Sequence, residues 1–149
     1  EMLRSLVGSE MCIRDRFKTD TEQPEIMDAS DWYNVDVITC AAPNLRVQNN
    51  YNGKSSYNNA KKMTNDELLK LHEKRLKRIL DTAFSEDDET IILGAFGCGA
   101  FMNDPQIVAQ AAKNVIREYL YSFKNIEFAV YCSPRDDRNY RIFDRVLKK

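Results

Sequence analysis

Apolar positions along the chain alternate between short continuous runs and longer stripes with helical spacing. Val35 to Ala41 is a compact apolar run ended by Pro43, which predicts a buried strand. Ile91 to Leu93 and Ile126 to Tyr131 have the same character, and Phe17 to Lys18 has that of a strand's tail. Between them, Thr64-Asn65-Asp66-Glu67 forms a capping box, and Leu68, His72, Leu76, Ile79, Leu80 and Ala83 follow at helical spacing. A second stripe runs through Ile107, Val108, Ala111, Ala112, Val115, Ile116, Tyr119 and Leu120, and a third through Tyr140, Phe143 and Leu147 within a helix over 139–147. Strands alternating with helices imply an α/β fold whose mostly parallel sheet is covered on both faces, with ligands at the carboxyl ends of the strands. Asn44 to Met63 breaks this rhythm. It is polar and rich in turn residues over about 20 positions, and such a stretch is either a surface loop or a lid in which Tyr51 or Tyr57 folds over a ligand.

The segment from Thr90 to Pro105 carries the densest chemistry: an apolar run, then Gly94, Gly97 and Gly99, then Asp104-Pro105. Asp104 suits a helix N-cap, and Pro105 suits the first turn, where its missing N–H costs nothing. Glycines in such a loop let the backbone approach a ligand and turn successive N–H groups toward one anion, and a helix N-terminus adds attraction for negative charge. Two familiar versions are excluded. A P-loop closes on Gly-Lys-Ser or Gly-Lys-Thr, and Ala100-Phe101-Met102 offers neither the lysine nor the hydroxyl. A dinucleotide fingerprint needs a third glycine where Met102 stands. A turn that binds nothing stays open on spacing alone.

Composition narrows the choices. The 149 residues are 43% hydrophobic with a formal net charge of -1, which fits one domain or part of one and gives no electrostatic case for DNA or RNA. No apolar run is long enough to span a bilayer. Cys12, Cys40, Cys98 and Cys132 are far apart and lack histidine partners, so no metal site, no disulfide framework and a cytoplasmic setting are expected. His72, the only histidine, sits on the predicted core face, where a packed or hydrogen-bonded role outweighs catalysis. Lys70, Lys74, Lys77 and Arg78 form a basic face that reads as solvated surface, a polymer-binding strip being the alternative.

The string GAFGCGAFMNDP, together with the upstream Val37-Ile38-Thr39-Cys40-Ala41-Ala42-Pro43-Asn44, resembles the C-terminal part of the microbial-type poly(ADP-ribose) glycohydrolases of the macrodomain superfamily. The resemblance runs from about Phe17 to the end, and it implies a three-layer α/β/α macrodomain-like fold with the N-terminal half missing. It also implies that Gly97, Cys98, Gly99 and Ala100 hold the pyrophosphate of ADP-ribose, with Gly94 among the ligand-binding residues, and that Phe101 lies against the distal ribose. Pro43 and Asn44 are placed at the same edge, and Tyr131 is a candidate to stack on adenine unless strand alternation buries it. The chemistry implied is hydrolysis of ribose–ribose glycosidic bonds in poly(ADP-ribose), with a glutamate as general acid and no cofactor.

The family's Gly-Gly-Gly loop and Gln-Glu-Glu motif do not occur in this chain, so no catalytic residue is assigned and the chain as written is expected to be inactive. Asp104 is a poor substitute, being committed to a helix cap. Residues 1–16, EMLRSLVGSEMCIRDR, resemble translated sequencing-adapter read-through, so residues 17–149 are expected to be the domain proper and the chain a truncated one. Two functions follow: part of a glycohydrolase, or a non-catalytic module binding ADP-ribose or a nucleotide. In both, the partner is ADP-ribose or its polymer and the protein is a monomer.

Overall fold

The computed structural model describes residues 10–19, 21–46 and 63–148, which divide into two compact units meeting at Ala41 and Ala42. In the first unit, β1 (Glu10–Arg16) pairs with β2 (Tyr33–Thr39) from Glu10 opposite Thr39 to Arg16 opposite Tyr33. This pairing is antiparallel. Among its described residues the connection holds a bridge between Lys18 and Ile26 and a 3-10 turn over Ala29–Asp31, and no α-helix of the kind that carries a parallel crossover. Trp32 closes it by donating Nε1–H to the Met27 carbonyl at 3.1 Å and tilting against Phe17, ring centroids 6.0 Å apart. β2 stops two residues short of the predicted Ala41, and only Val35, Val37 and Ile38 are half-buried along it.

The second unit holds α1 (Asn65–Ser85), β3 (Thr90–Gly94), α2 (Pro105–Ile116), β4 (Asn125–Ala129) and α3 (Arg138–Leu147). The capping box at the start of α1 is complete: Thr64 Oγ1 accepts from the Glu67 N–H at 3.2 Å, and Glu67 Oε2 accepts from the Thr64 N–H at 2.8 Å. The Thr64 N–H, and the Thr64 hydroxyl donating to the same Oε2 at 3.0 Å, hold the Glu67 carboxyl below its ordinary range. All six residues of the predicted α1 stripe are buried. β3 and β4 are parallel, running from Thr90 beside Asn125 to Gly94 beside Ala129, so both leave the sheet at one edge.

Helix α2 is the centre of this unit and packs against both α1 and α3. Its buried Ala109, Ala111 and Ala112 are small enough to let neighbours approach closely. Val108 and Ala109 join Phe143 and Val146 of α3 in one cluster, against which Phe128 of β4 lays its ring, 5.7 Å from that of Phe143.

Three expectations change here. β3 is not buried on both faces within its unit, because Ile91 and Leu93 point inward while Ile92 is 65% exposed. Helix α2 ends at Ile116 rather than running on to Leu120. Beyond it the Glu118 and Tyr119 N–H groups bond three residues back, which tightens the turn and rotates Leu120 outward while Tyr119 stays buried with its hydroxyl on Asp81. β4 ends at Ala129, before Tyr131. Tyr51 and Tyr57 lie outside the described residues. Among the described residues no helix is long and apolar enough to cross a membrane.

Candidate functional site

The loop between Gly94 and Asp104 emerges where β3 and β4 end side by side. Three backbone bonds curl it: Cys98 N–H to the Ala95 carbonyl at 3.0 Å, Met102 N–H to Gly99 at 3.0 Å, and Asn103 N–H to Gly97 at 3.1 Å. The N–H groups of Gly99, Ala100 and Phe101 make no hydrogen bond to another described residue. Unpartnered backbone donors on successive residues of a turn are a general means by which proteins bind anions.

The glycines have different reasons to be glycine. Gly97 has φ +79°, and a Cβ there would stand 2.6 Å from Asn103 Nδ2 and 2.7 Å from the Ala42 Cβ, so the fold itself demands glycine. A Cβ on Gly94 would meet only the Ala129 carbonyl at 3.8 Å, an ordinary contact. At Gly99 nothing lies within 4 Å. Its missing side chain leaves the backbone open to the outside. Met102 also has positive φ, 56°, at a cost of about 1 kcal/mol for a residue with a side chain.

Asn103, 2% exposed, ties this loop to its surroundings. Its Nδ2 donates to the Pro43 carbonyl at 2.7 Å and to the Gly97 carbonyl at 3.0 Å, with the Phe101 carbonyl at 3.5 Å. Because the amide nitrogen must face carbonyls, Oδ1 is left toward His72 Nε2, 3.0 Å away, and that nitrogen must carry the proton. His72 is therefore the Nε2–H tautomer, fully buried and edge-on to Phe96, with Nδ1 unpartnered among the described residues. Burial holds its pKa below the ordinary value, with the Arg75 charge adding to that and the bond to Asn103 opposing it. The expectation of a hydrogen-bonded core histidine holds. Asn103 went unassigned in the sequence, where the only signal was a side chain with two donors sitting next to a helix cap.

Of the other candidates, Pro43 is buried and Asn44 exposed, with Asn44 Oδ1 accepting from the Arg46 N–H at 3.1 Å. Leu45 N–H reaches the Phe101 carbonyl at 3.0 Å, so the 43–45 segment and the loop form one surface. Ala100 is exposed, and Phe101 is 39% exposed beside it. Cys98 packs against the cluster of Val108 and Phe143, and burial, aided by the Asp104 charge, pushes its thiol up to about 12. Its side chain thus packs among apolar neighbours beneath the loop. Tyr131 is 87% exposed, which removes the core alternative, and it follows β4 at the same sheet edge as the loop.

The helix end contributes less than its sequence suggests. Pro105 has no N–H, Gln106 N–H bonds Asp104 Oδ1 at 2.8 Å, and Ile107 N–H bonds the Asp104 carbonyl at 3.1 Å. The N–H groups of Gly99, Ala100 and Phe101, by contrast, have no such partner among the described residues. Among the described residues no group of three or more His, Cys, Asp or Glu side chains is placed to hold a metal ion.

No protein-family model matches the sequence, and no curated protein does. Solved structures do. The chain matches poly(ADP-ribose) glycohydrolase from Deinococcus radiodurans in complex with ADP-ribose at a TM-score of 0.70 and 25% identity, covering 90% of this chain and 49% of that one. The apo form of that enzyme gives a TM-score of 0.68 at 26% identity, covering 89% and 49%. Poly(ADP-ribose) glycohydrolase from Thermomonospora curvata gives 0.68 at 24% identity, covering 89% and 44%. The chain thus has the α/β fold of these bacterial glycohydrolases and spans about half their length.

Proposed function

We propose that the chain carries the pyrophosphate-binding part of a poly(ADP-ribose) glycohydrolase-type domain, and that as written it binds ADP-ribose without cleaving the polymer. The observation behind this is the tip from Gly99 to Phe101, three N–H groups without a partner among the described residues beside a glycine the fold does not require. A diphosphate would accept those bonds through its oxygens, which fixes the attached riboses and leaves Phe101 beside one of them. Binding there relies on backbone dipoles, so a net charge of -1 is no obstacle. The bound ligand in the Deinococcus structures supports the same choice.

In the intact type of enzyme the loop's contribution would be orientation, holding the scissile ribose where a general acid protonates the leaving oxygen. No side chain at this loop can take that part. Asp104 is engaged by the Gln106 N–H, and the Cys98 thiol stays protonated.

Calorimetry with ADP-ribose, run on the full chain and on Gly99→Ala, tests the reading. Gly99→Ala has room in the fold, so it keeps the melting temperature but weakens ADP-ribose roughly tenfold by pushing the ligand off the backbone. Equal affinity in both proteins, or no binding by either, would overturn it. Release of ADP-ribose from polymer by the chain would overturn the claim that it does not cleave.

A further inference from the structure

We infer that Asn103, oriented by His72, is the positioning residue that holds the Gly99–Phe101 N–H groups outward for an anionic ligand. The inference rests on the reading that this loop binds the ADP-ribose diphosphate. It starts from where the loop's carbonyls go. Asn103 binds the Gly97 carbonyl through both its backbone N–H and its Nδ2, and the Phe101 carbonyl lies within reach of the same nitrogen. Both ends of the tip are therefore pinned to one buried side chain. Between them, the Gly99 carbonyl is drawn in by the Met102 N–H. In a planar trans peptide the following N–H, that of Ala100, must then face the opposite way.

The same amide reaches Pro43 at 2.7 Å, which fastens the loop to the 43–45 segment. Turning the amide over would set an oxygen against two carbonyls and lose both bonds. His72 Nε2–H selects the correct orientation because it offers a donor where Oδ1 lies. His72 comes from α1, so the long helix and the loop share one buried polar contact, and neither partner touches the proposed ligand. Within this contact the Asn103 amide is satisfied at both its nitrogen and its oxygen, which favours one orientation of the side chain, while His72 Nδ1 has no partner among the described residues.

The test uses the full chain with Asn103→Asp, His72→Leu and His72→Gln, each measured well below its melting temperature. Asn103→Asp replaces the donor by an oxygen, His72→Leu removes the ring N–H, and His72→Gln returns an N–H near the Nε2 position. Two readouts are taken. Nuclear magnetic resonance of the ligand-free wild type should show His72 protonated at Nε2 only, with the Gly99, Ala100 and Phe101 amide signals displaced in Asn103→Asp and His72→Leu and restored in His72→Gln. Calorimetry should show ADP-ribose weakened roughly tenfold in the first two variants and recovered to within about threefold in His72→Gln. Lower melting temperatures with unmoved loop signals and wild-type affinity would overturn the inference, leaving a purely structural contact. If wild type does not bind ADP-ribose, the binding reading fails by itself, and the amide signals still decide whether Asn103 sets the loop. Should Asn103→Asp not fold, the His72 pair decides.

Discussion

At the scale of single residues, the loop separates what the fold needs from what a ligand would need. Gly97→Ala forces a side chain into left-handed backbone and against both Asn103 and Ala42, and should cost roughly 2–4 kcal/mol in chemical denaturation. Gly99→Ala should stay within about 0.5 kcal/mol of wild type in the same assay. His72 makes stability depend on pH in one direction. Its folded pKa lies below the ordinary value of 6.5, so as pH falls through that value the unfolded chain takes up a proton that the folded chain resists. Stability is then full above that value and declines below it. Denaturation midpoints between pH 5 and 8 should show this decline, and His72→Gln should flatten it. Cys98 gives a chemical check. With its thiol pushed up to about 12, iodoacetamide at neutral pH should label exposed Cys132 while leaving Cys98 largely unmodified in the folded chain.

At the scale of elements, caps and small residues decide. Thr64→Ala breaks a capping box and should lower stability by about 1 kcal/mol, read as a shift in denaturation midpoint. Asp104→Ala should cost a similar amount but should not weaken ADP-ribose, because it also removes a negative charge from the side of the loop. That pairing separates helix stability from anion binding, which one helix-dipole argument would have merged. The six-residue stripe of α1 was legible because its period is fixed by helix geometry and its start by the capping box. The end of α2 was not, because Tyr119 keeps helical spacing from Val115 while the backbone has already tightened.

For the whole molecule, the ADP-ribose reading predicts a linked rise in stability. At a concentration about 100 times its dissociation constant, ADP-ribose should add roughly 2.7 kcal/mol, raising the melting temperature of wild type and leaving that of Gly99→Ala closer to its unliganded value. If residues 1–16 are foreign to the domain, a chain starting at Phe17 should bind ADP-ribose with unchanged affinity. Calorimetry on both chains decides, and loss of binding would overturn that reading of residues 1–16.

By itself the sequence determined the local pieces: the α1 stripe, the Thr64 and Asp104 caps, the parallel strands β3 and β4, and the glycine loop between β3 and α2. Each follows from a period or a turn chemistry that neighbouring residues carry among themselves. Tertiary structure decided what depends on partners distant in the chain. It turned Ile92 and Tyr131 outward, paired β1 with β2 in the antiparallel sense, and used up the N–H groups at the start of α2. It also joined His72, Asn103, Pro43 and Gly97 through one amide. A hydrogen bond between residues 31 and 60 positions apart leaves no periodic trace along the chain, because only folding brings its donor and acceptor together.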